Sequence, residues 1–477
     1  MKKKQLPFVL YNALLCLMAA IIFVLGVMCV QAAEEKWYLK IDLSDDGVSR
    51  LSEYTLSRLE ALEEDVTLHI IHSYGIASDL YDLQSETLMK MAAECPRITV
   101  ETIDPAAQPH LLLELAGDTA GIPEGTVFVR NQQGSRTVRI DAEEFIFARR
   151  IGADQYTIYC GEAMLIGGID RAVDEDPAAV WFITGHGEAE ETVTAQLRLQ
   201  LSAMGLEVRD GVLVMIQPQP GDVLALIAPE TDLTDGEAAA LKNHLNSGIH
   251  LLAACGADTT IDRLLNLAAL MDLYGLGWRN GWAVESAAQT AHFVDEPALL
   301  SPILAEGNGV LDALPGRLIL PRSCALATPA LRPGTTAKVL LTTSDEAILK
   351  KDVNATTTAA QPGDESGCLP LAILAECGKS SILQLGSAQM LLTGVEGAGS
   401  HVLDASENLS FVAACLEHIT DSGEGATLEA GVKQLPTQLI AFPNQQVQQR
   451  ISLLLVLALP TALTLIMLIV VLRRRRL

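Results

Sequence analysis

The sequence is poor in aromatic and in basic residues. Aromatic side chains make up 4% of the 477 residues, and 33 lysines and arginines stand against 59 aspartates and glutamates, for a net charge of −26. Nucleic acid is bound chiefly through basic contacts to its phosphates, so this charge excludes a general nucleic-acid-binding protein. We expect no nucleic-acid partner and an acidic, self-repelling surface.

The nine cysteines are not arranged as a metal site or a disulfide framework. No CxxC pair occurs, and several cysteines lie in apolar runs such as LLAAC and FVAAC, where this residue behaves as a small buried hydrophobic side chain. No EF-hand loop follows Asp42, Asp45 and Asp46. The sequence therefore predicts no metal and no cofactor.

A nucleotide-binding loop is also missing. Gly378-Lys379-Ser380 resembles the end of a P-loop, but Ile373 stands where that motif requires glycine. The tripeptide also precedes a predicted strand, whereas a P-loop leads from a strand into a helix. We predict that the chain is not itself an ATPase.

Two long apolar runs are present, each with basic residues at its outer tip. Residues 8–30 follow Lys2–Lys4, and residues 451–472 precede Arg473–Arg476. As helices they would span roughly 33–35 Å, enough for a bilayer core of about 30 Å. Positive flanks stay in the cytoplasm, so we expect two transmembrane helices in the cell membrane, cytoplasmic termini and an extracytoplasmic body. A signal peptide cleaved after Val30-Gln31-Ala32 is the alternative for the first run.

Residues 34–155 predict a first α/β domain. After an amphipathic helix, the pattern reads as strand, helix and strand over 66–104, and then as a β-hairpin over 126–140 with its turn near Gly134. The order βαβ, a helical piece and a hairpin is a thioredoxin-like layout. Since CxxC is absent, no redox activity follows.

Residues 177–420 predict a second α/β domain, joined to the first by a helical connector at 156–176. Aliphatic strands such as AVWFIT, DVLALIAP and IHLLAAC alternate with helices, which is typical of a doubly wound parallel sheet with an amidotransferase-like layout. Residues 421–447 read as a linker. The predicted fold class is thus α/β, with these two domains between the membrane helices of 1–33 and 448–477.

Four stretches of the body carry a resemblance to a known family. They are IDLSDDGVSRLSEYTLSRLEAL at 41–62, VWFITGHGE at 180–188, DVLALIAPETDLTDGEAAALKNHLNSGIHLLAAC at 222–255, and ILQLGSAQMLLTG with NLSFVAACLEHI between 382 and 419. Together they resemble the auxiliary extracytoplasmic component of an ABC transporter, the GldG-like family named after gliding motility.

This resemblance implies a partner role. Such proteins accompany a membrane permease and, through it, a separate cytoplasmic ATPase, so we expect a non-ATPase binding subunit of an ABC-type complex with an undefined substrate. The lipid bilayer is the further expected partner. Two other classes stay open: a membrane-tethered cysteine hydrolase that uses Cys255 as its nucleophile, and a purely structural surface module.

The candidate site is the turn Gly185-His186-Gly187-Glu188, which follows the strand AVWFIT and precedes a helix. Open α/β sheets bind ligands at the carboxyl ends of their strands, so His186 and Glu188 would face a crevice and contact a ligand or partner. In the structural alternative the glycines permit a tight turn, His186 bonds the backbone and Glu188 caps the helix. No catalytic residue is assigned. His186 could serve Cys255 as a base only if their loops converge.

Overall fold

The computed structural model of the protein describes residues 50–435 apart from short segments. The segments outside the description are 77, 118–120, 152–153, 260, 286–291, 294–295, 306–315, 331, 356, 398–399, 421–427 and 429. From Ser52 onward, the described residues belong to one compact unit.

The helices of the described residues are short. They are α1 Glu53–Glu60, α2 Asp79–Glu94, α3 Pro109–Ala116, α4 Gly161–Val173, α5 Glu191–Ala203, α6 Asp235–Asn246, α7 Leu265–Leu273 and α8 Asn408–Thr420.

The strands run through the whole described range. They are β1 Val66–Ile71, β2 Ile98–Ile103, β3 Val127–Asn131, β4 Thr137–Ile140, β5 Ile146–Ile151, β6 Asp154–Tyr159, β7 Ala179–Ile183, β8 Glu207–Gly211, β9 Val223–Ile227, β10 His250–Ala254, β11 Trp278–Arg279, β12 Trp282–Val284, β13 His292–Phe293, β14 Glu296–Leu300, β15 Ile303–Leu304, β16 Leu320–Pro321, β17 Ala325–Leu326, β18 Thr335–Thr342, β19 Ile348–Lys350, β20 Glu365–Ser366, β21 Pro370–Cys377, β22 Ser380–Leu385, β23 Glu396–Gly397, β24 Ser400–His401 and β25 Lys433–Leu435.

Local sequence signals explain where several helices begin and end. Ser52 caps α1, because its side chain accepts a hydrogen bond from the Thr55 backbone N–H. Thr234 and Glu237 form a reciprocal capping box at the start of α6. Gly117, in the left-handed conformation, ends α3. These caps satisfy backbone groups that the helices themselves cannot.

The first sheet has the strand order β2-β1-β3-β4. Strands β1 and β2 run parallel, whereas β3 is antiparallel to both β1 and β4. Helix α3 covers one face through Leu112 and Leu115, which pack with Ile71, Ile103 and Phe128. Helix α4 lies against β3 and β4. The predicted hairpin over 126–140 is confirmed, and Gly134 takes a left-handed conformation in its turn.

The large sheet has the order β15-β18-β21-β22-β10-β9-β7-β8. The strands β22, β10, β9, β7 and β8 run parallel, and β21, β18 and β15 are joined to them in antiparallel pairs. Helices α5 and α8 pack on one face. Helices α6 and α7 pack on the other. The core of this part of the chain is therefore built in three layers.

The predicted fold class is wrong, and the described chain is a mixed α/β fold. The large sheet is mixed rather than parallel, because β21 and β22 form a hairpin whose turn is Gly378-Lys379. Among the described helices, none is long and apolar enough to cross a membrane. Helix α2, the longest of them, has 16 residues, and a span needs about 20. The runs at 8–30 and 451–472 lie outside the described residues.

Two segments expected to be connectors contain core structure. Helix α4, in the predicted connector 156–176, is buried at 11 of its 13 positions. Strand β25, in the predicted linker 421–447, pairs with β6. Between α7 and β21, short strands form small sheets of their own, β11-β17, β12-β19-β20 and β13-β14-β16.

Candidate functional site

The predicted turn lies at the point where the large sheet changes winding direction. The chain leaves β7 through α5 toward β8, but it leaves β9 through α6 toward β10 on the other side. The carboxyl ends of β7 and β9 therefore flank a topological switch point, the usual place for a ligand crevice in such sheets. Residues 184–188 follow β7 there, and residues 228–231 follow β9.

The two loops are bound to each other through their backbones. The carbonyl oxygen of His186 accepts hydrogen bonds from the backbone N–H groups of Glu230 and Thr231, both at 2.9 Å. Gly187 has φ +76°, and a Cβ atom there would lie 2.9 Å from the Cβ of Glu230. Glycine is required at this position because of the backbone conformation and because of the close approach.

The ring of His186 lies between two carboxylates. Its Nδ1 is 2.9 Å from Oε1 of Glu188, and its Nε2 is 3.2 Å from Oε2 of Glu237. The side chains of His186 and Glu188 are 6% and 4% exposed. Glu237 in turn accepts bonds from the Thr234 backbone N–H at 2.8 Å and hydroxyl at 2.6 Å, the capping box of α6. The predicted turn is thus joined to the start of α6.

These contacts favour a charged histidine. Burial acts to lower the pKa of His186, but the hydrogen bonds to Glu188 and Glu237 outweigh it, so that the pKa is raised above its ordinary value. The Thr234 hydroxyl and N–H, aided by His186, hold the pKa of Glu237 down to about 2. An imidazolium between two carboxylates is the state that the geometry stabilises.

The four predicted site residues therefore divide into two kinds. The side chains of His186 and Glu188 are buried and contact each other, whereas Gly185 and Gly187 are exposed. Among the described residues other than its two chain neighbours, no atom lies within 4 Å of the place where a Cβ of Gly185 would be. What the turn offers to an incoming molecule is its backbone. Ligand or partner contact by these residues stays a prediction.

Cys255 follows β10 at the same edge of the sheet, but its thiol is not exposed. The residue is 1% exposed, and its backbone N–H bonds the Leu385 carbonyl. Burial, with a smaller contribution from Cys324, raises the pKa of the Cys255 thiol well above its ordinary value. The nucleophilic form of cysteine is the thiolate, which this environment disfavours. Both ring nitrogens of His186 already contact carboxylates.

A cavity of 710 Å³ lies at the opposite, amino edge of the same sheet, where the sequence predicts nothing. It is bounded by α1, by α4 and by the segments that precede β7, β8 and β9. Its lining residues are Arg58, Leu59, Ala61, Leu62, Glu63, Ile166, Ile169, Asp170, Val173, Asp174, Asp176, Pro177, Ala178, Met204, Gly205, Leu206, Gln219, Pro220, Gly221, Asp222 and Thr420.

Two lining carboxylates differ in their contacts. Asp222 is buried and accepts bonds from the Ala179 N–H at 2.8 Å, from Trp181 Nε1 at 3.0 Å and from the Gln219 N–H at 2.9 Å, so it fixes the loop before β9. Asp170 is partly exposed and pairs with Arg58 at 2.7 Å. The sequence does not predict this cavity, because its lining comes from segments far apart along the chain. The periodicity of side chains indicates only which residues close together in sequence share a face.

In the part of the chain that the structure describes, no group of three or more His, Cys, Asp or Glu side chains is placed to hold a metal ion.

Comparisons with known proteins leave the family undecided. No known family matches the sequence, and no curated protein does. Among solved structures, the chain is similar to the mmIFT52 N-terminal domain, with a TM-score of 0.38 and 16% identity over 52% of this chain and 100% of that one. It is also similar to the exo-beta-1,4-mannosidase Op5Man5 from Opitutaceae bacterium strain TAV5, with a TM-score of 0.28 and 10% identity over 67% of this chain and 47% of that one. Scores this low carry no argument about fold or function.

Proposed function

We propose that this chain is the non-ATPase, extracytoplasmic binding subunit of an ABC-type membrane transport complex. It acts beside a permease and, through the permease, with a cytoplasmic ATPase. The proposal rests on the GldG-like stretches of the sequence and on the way in which the fold uses them.

The main support for the proposal is a contact between two of those stretches. The segments 180–188 and 222–255 hold the most specific parts of the resemblance, and they meet at His186, which contacts Glu237 through its ring and Glu230 through its backbone. Residues of separate motifs thus build one edge of the sheet together. A change in either stretch would therefore disturb the other.

The cavity at the amino edge supports binding as the activity. Its volume of 710 Å³ lies within the roughly 300–1,000 Å³ typical of small-molecule sites. The sheet then has a turn whose backbone is open to a partner at one edge and a ligand-sized cavity at the other.

Purification of the tagged full-length chain from its native membranes in a mild detergent tests the proposal. We expect a multi-helix permease and an ATP-hydrolysing subunit to co-purify with it in fixed proportion. The variant Thr184→Arg places a long charged side chain on the exposed surface beside Gly185 and should reduce the recovered permease severalfold. Ser247→Arg, at the exposed end of α6 by the opposite edge, is the matched control and should leave recovery unchanged.

Mass spectrometry of the purified material decides the result. Recovery of the chain without permease and ATPase would contradict the proposal. Equal recovery with both variants would leave the complex in place but would remove the carboxyl edge as the partner face.

A further inference from the structure

We infer that the cavity at the amino edge of the large sheet binds a small amphipathic cation, an ammonium or guanidinium group on an aliphatic chain. The inference names the ligand class of the binding role proposed above and rests on that role. It is carried by three features of the cavity: an aliphatic floor, carboxylates around it, and a cation of this class already bound to its wall.

The floor of the cavity is aliphatic. Leu59, Ile166, Ile169, Met204 and Leu206 all line it, and each is no more than 6% exposed. They come from α1, from α4 and from the approach to β8, so the floor is formed by packing of the core and not by a loop. An alkyl chain placed against these side chains would leave water, which is favourable.

The ionisable groups of the lining are mostly acidic. The acids are Glu63, Asp170, Asp174, Asp176 and Asp222, and the base among the lining residues is Arg58. Asp222 has its oxygens occupied by three donors. Glu63, Asp174 and Asp176 are exposed residues of the lining. An anionic ligand would be repelled here, and a cation would be attracted.

Asp170 is the carboxylate best placed to receive the cation. Burial raises the pKa of its carboxyl although Arg58 acts in the opposite direction. A carboxylate that has lost part of its hydration gains more from a cationic partner than one in bulk water does.

Arg58 carries the same kind of group as the proposed ligand, a cation on an aliphatic chain. Its guanidinium donates to Oδ1 of Asp170 at 2.7 Å, and Arg58 lines the cavity together with Leu59. Its side chain remains 37% exposed. Within the described part of the chain, its buried Nε has no hydrogen-bond partner. The pair is therefore open to exchange, and an incoming cation would take the place of Arg58 on Asp170.

Three probes of equal chain length test the ligand class on the full-length protein. Hexylammonium, hexan-1-ol and hexanoate each have six carbons and carry a cationic, a neutral and an anionic head group, and binding is followed by calorimetry and by ligand-detected NMR. We expect hexylammonium to bind about tenfold more tightly than hexanol, the typical worth of one charge-assisted contact, and hexanoate not to bind. Equal binding of hexylammonium and hexanol, or no binding of either, would overturn the inference.

Variants then locate the site. Asp170→Asn keeps the size of the side chain, removes its charge and should weaken hexylammonium about tenfold. Arg58→Met keeps the aliphatic stem, removes the competing cation and should tighten hexylammonium severalfold. Asp210→Asn breaks a paired Arg198–Asp210 bridge outside the cavity and is the matched control. If Asp170→Asn and Asp210→Asn bind hexylammonium equally well, the cation does not bind at Asp170. If Arg58→Met weakens hexylammonium binding, the ligand does not take the place of Arg58.

Folding of each variant is checked by circular dichroism. If Asp170→Asn fails to fold, two measurements still test the inference: the affinities of the three probes for the wild-type chain and the affinity of Arg58→Met for hexylammonium. The failure of this inference is distinguishable from failure of the proposed function, because co-purification with a permease and an ATPase needs none of the probes.

Discussion

At the scale of single residues, His186 shows how a motif that resembles a binding site can be used to hold the fold. The sequence allows two interpretations of Gly185-His186-Gly187-Glu188, a ligand contact and a structural turn. In the structure both ring nitrogens of His186 contact carboxylates, and Gly187 permits the approach of Glu230. The partner Glu237 could not be foreseen, because it lies on a different helix and only the winding of the sheet brings it to the turn.

Because the folded pKa of His186 is raised, its contribution to stability should depend on pH. The contribution is complete below the ordinary value of 6.5 and is lost as the pH rises through the raised folded pKa. The Glu237 carboxylate, with a pKa of about 2, stays ionised throughout this window. We expect His186→Gln to lower the free energy of unfolding by about 1–3 kcal/mol at neutral pH and to abolish this alkaline loss.

Urea unfolding of the wild-type and variant chains between about pH 5.5 and about pH 9 measures the effect. His250→Asn is the control, because the stability contribution of His250 should depend on pH in the opposite direction. Burial lowers the pKa of His250, so its contribution to the free energy of unfolding is lost as the pH falls below 6.5. Identical pH slopes for wild type and His186→Gln would contradict the prediction.

At the scale of elements, the sequence predicted most helices and strands but not all of the elements that they pair with or pack against. The predicted strands AVWFIT, DVLALIAP and IHLLAAC are confirmed as β7, β9 and β10. The hairpin β21–β22 was missed, although two residues between aliphatic runs, one of them Gly378, are a hairpin signal. The sequence of α4 indicates a connector because the surfaces that the helix packs against cannot be inferred from the helix itself.

Close packing of α4 on α5 depends on Gly167. A Cβ atom there would lie 2.2 Å from the carbonyl oxygen of Ser202 and 2.6 Å from that of Ala203. Backbone cannot yield as a flexible side chain can, so we expect Gly167→Ala to lower the free energy of unfolding by about 1–3 kcal/mol.

The matched control is Gly236→Ala in α6, where the nearest atom to an added Cβ is Thr234 Oγ1 at 3.9 Å. This substitution should be neutral or stabilising by up to about 1 kcal/mol, because alanine loses less conformational entropy in a helix. Urea unfolding midpoints compare the two variants. A neutral Gly167→Ala would show that α4 and α5 are not held in this contact.

At the scale of the whole described chain, one buried carboxylate joins residues from its beginning and its end. Glu162, fully buried at the start of α4, accepts bonds from the Ser52 N–H and the Thr55 hydroxyl, both at 2.8 Å. Its other oxygen lies 3.0 Å from Nζ of Lys433, at the start of β25. The entry into α1 and the final described strand are thus held by the same side chain.

Removing one partner of this buried pair should be costly. We expect Lys433→Met to lower the free energy of unfolding by about 3–5 kcal/mol, because the Glu162 charge is left without compensation. Hydrogen exchange should also show β25 amides opening in this variant before the rest of the chain.

Lys351→Met is the control for the same substitution at an exposed pair. Lys351 and Glu365 lie 2.7 Å apart but are 51% and 50% exposed, so the loss should stay within about 1 kcal/mol. Similar losses in the two lysine variants would show that burial of the Glu162–Lys433 pair has no energetic weight.

By itself, the sequence determined the acidic charge, the alternation of aliphatic strands with short helices, the caps and the turns. These properties depend on residues close together along the chain, where side-chain periodicity and backbone preference act directly. The tertiary structure alone decided that the large sheet is mixed, that His186 meets Glu237, that Glu162 meets Lys433 and that a cavity opens beside Asp170. Each of these joins segments distant in sequence, and the pairing of strands and the packing of layers that bring them together leave no local trace in composition or spacing.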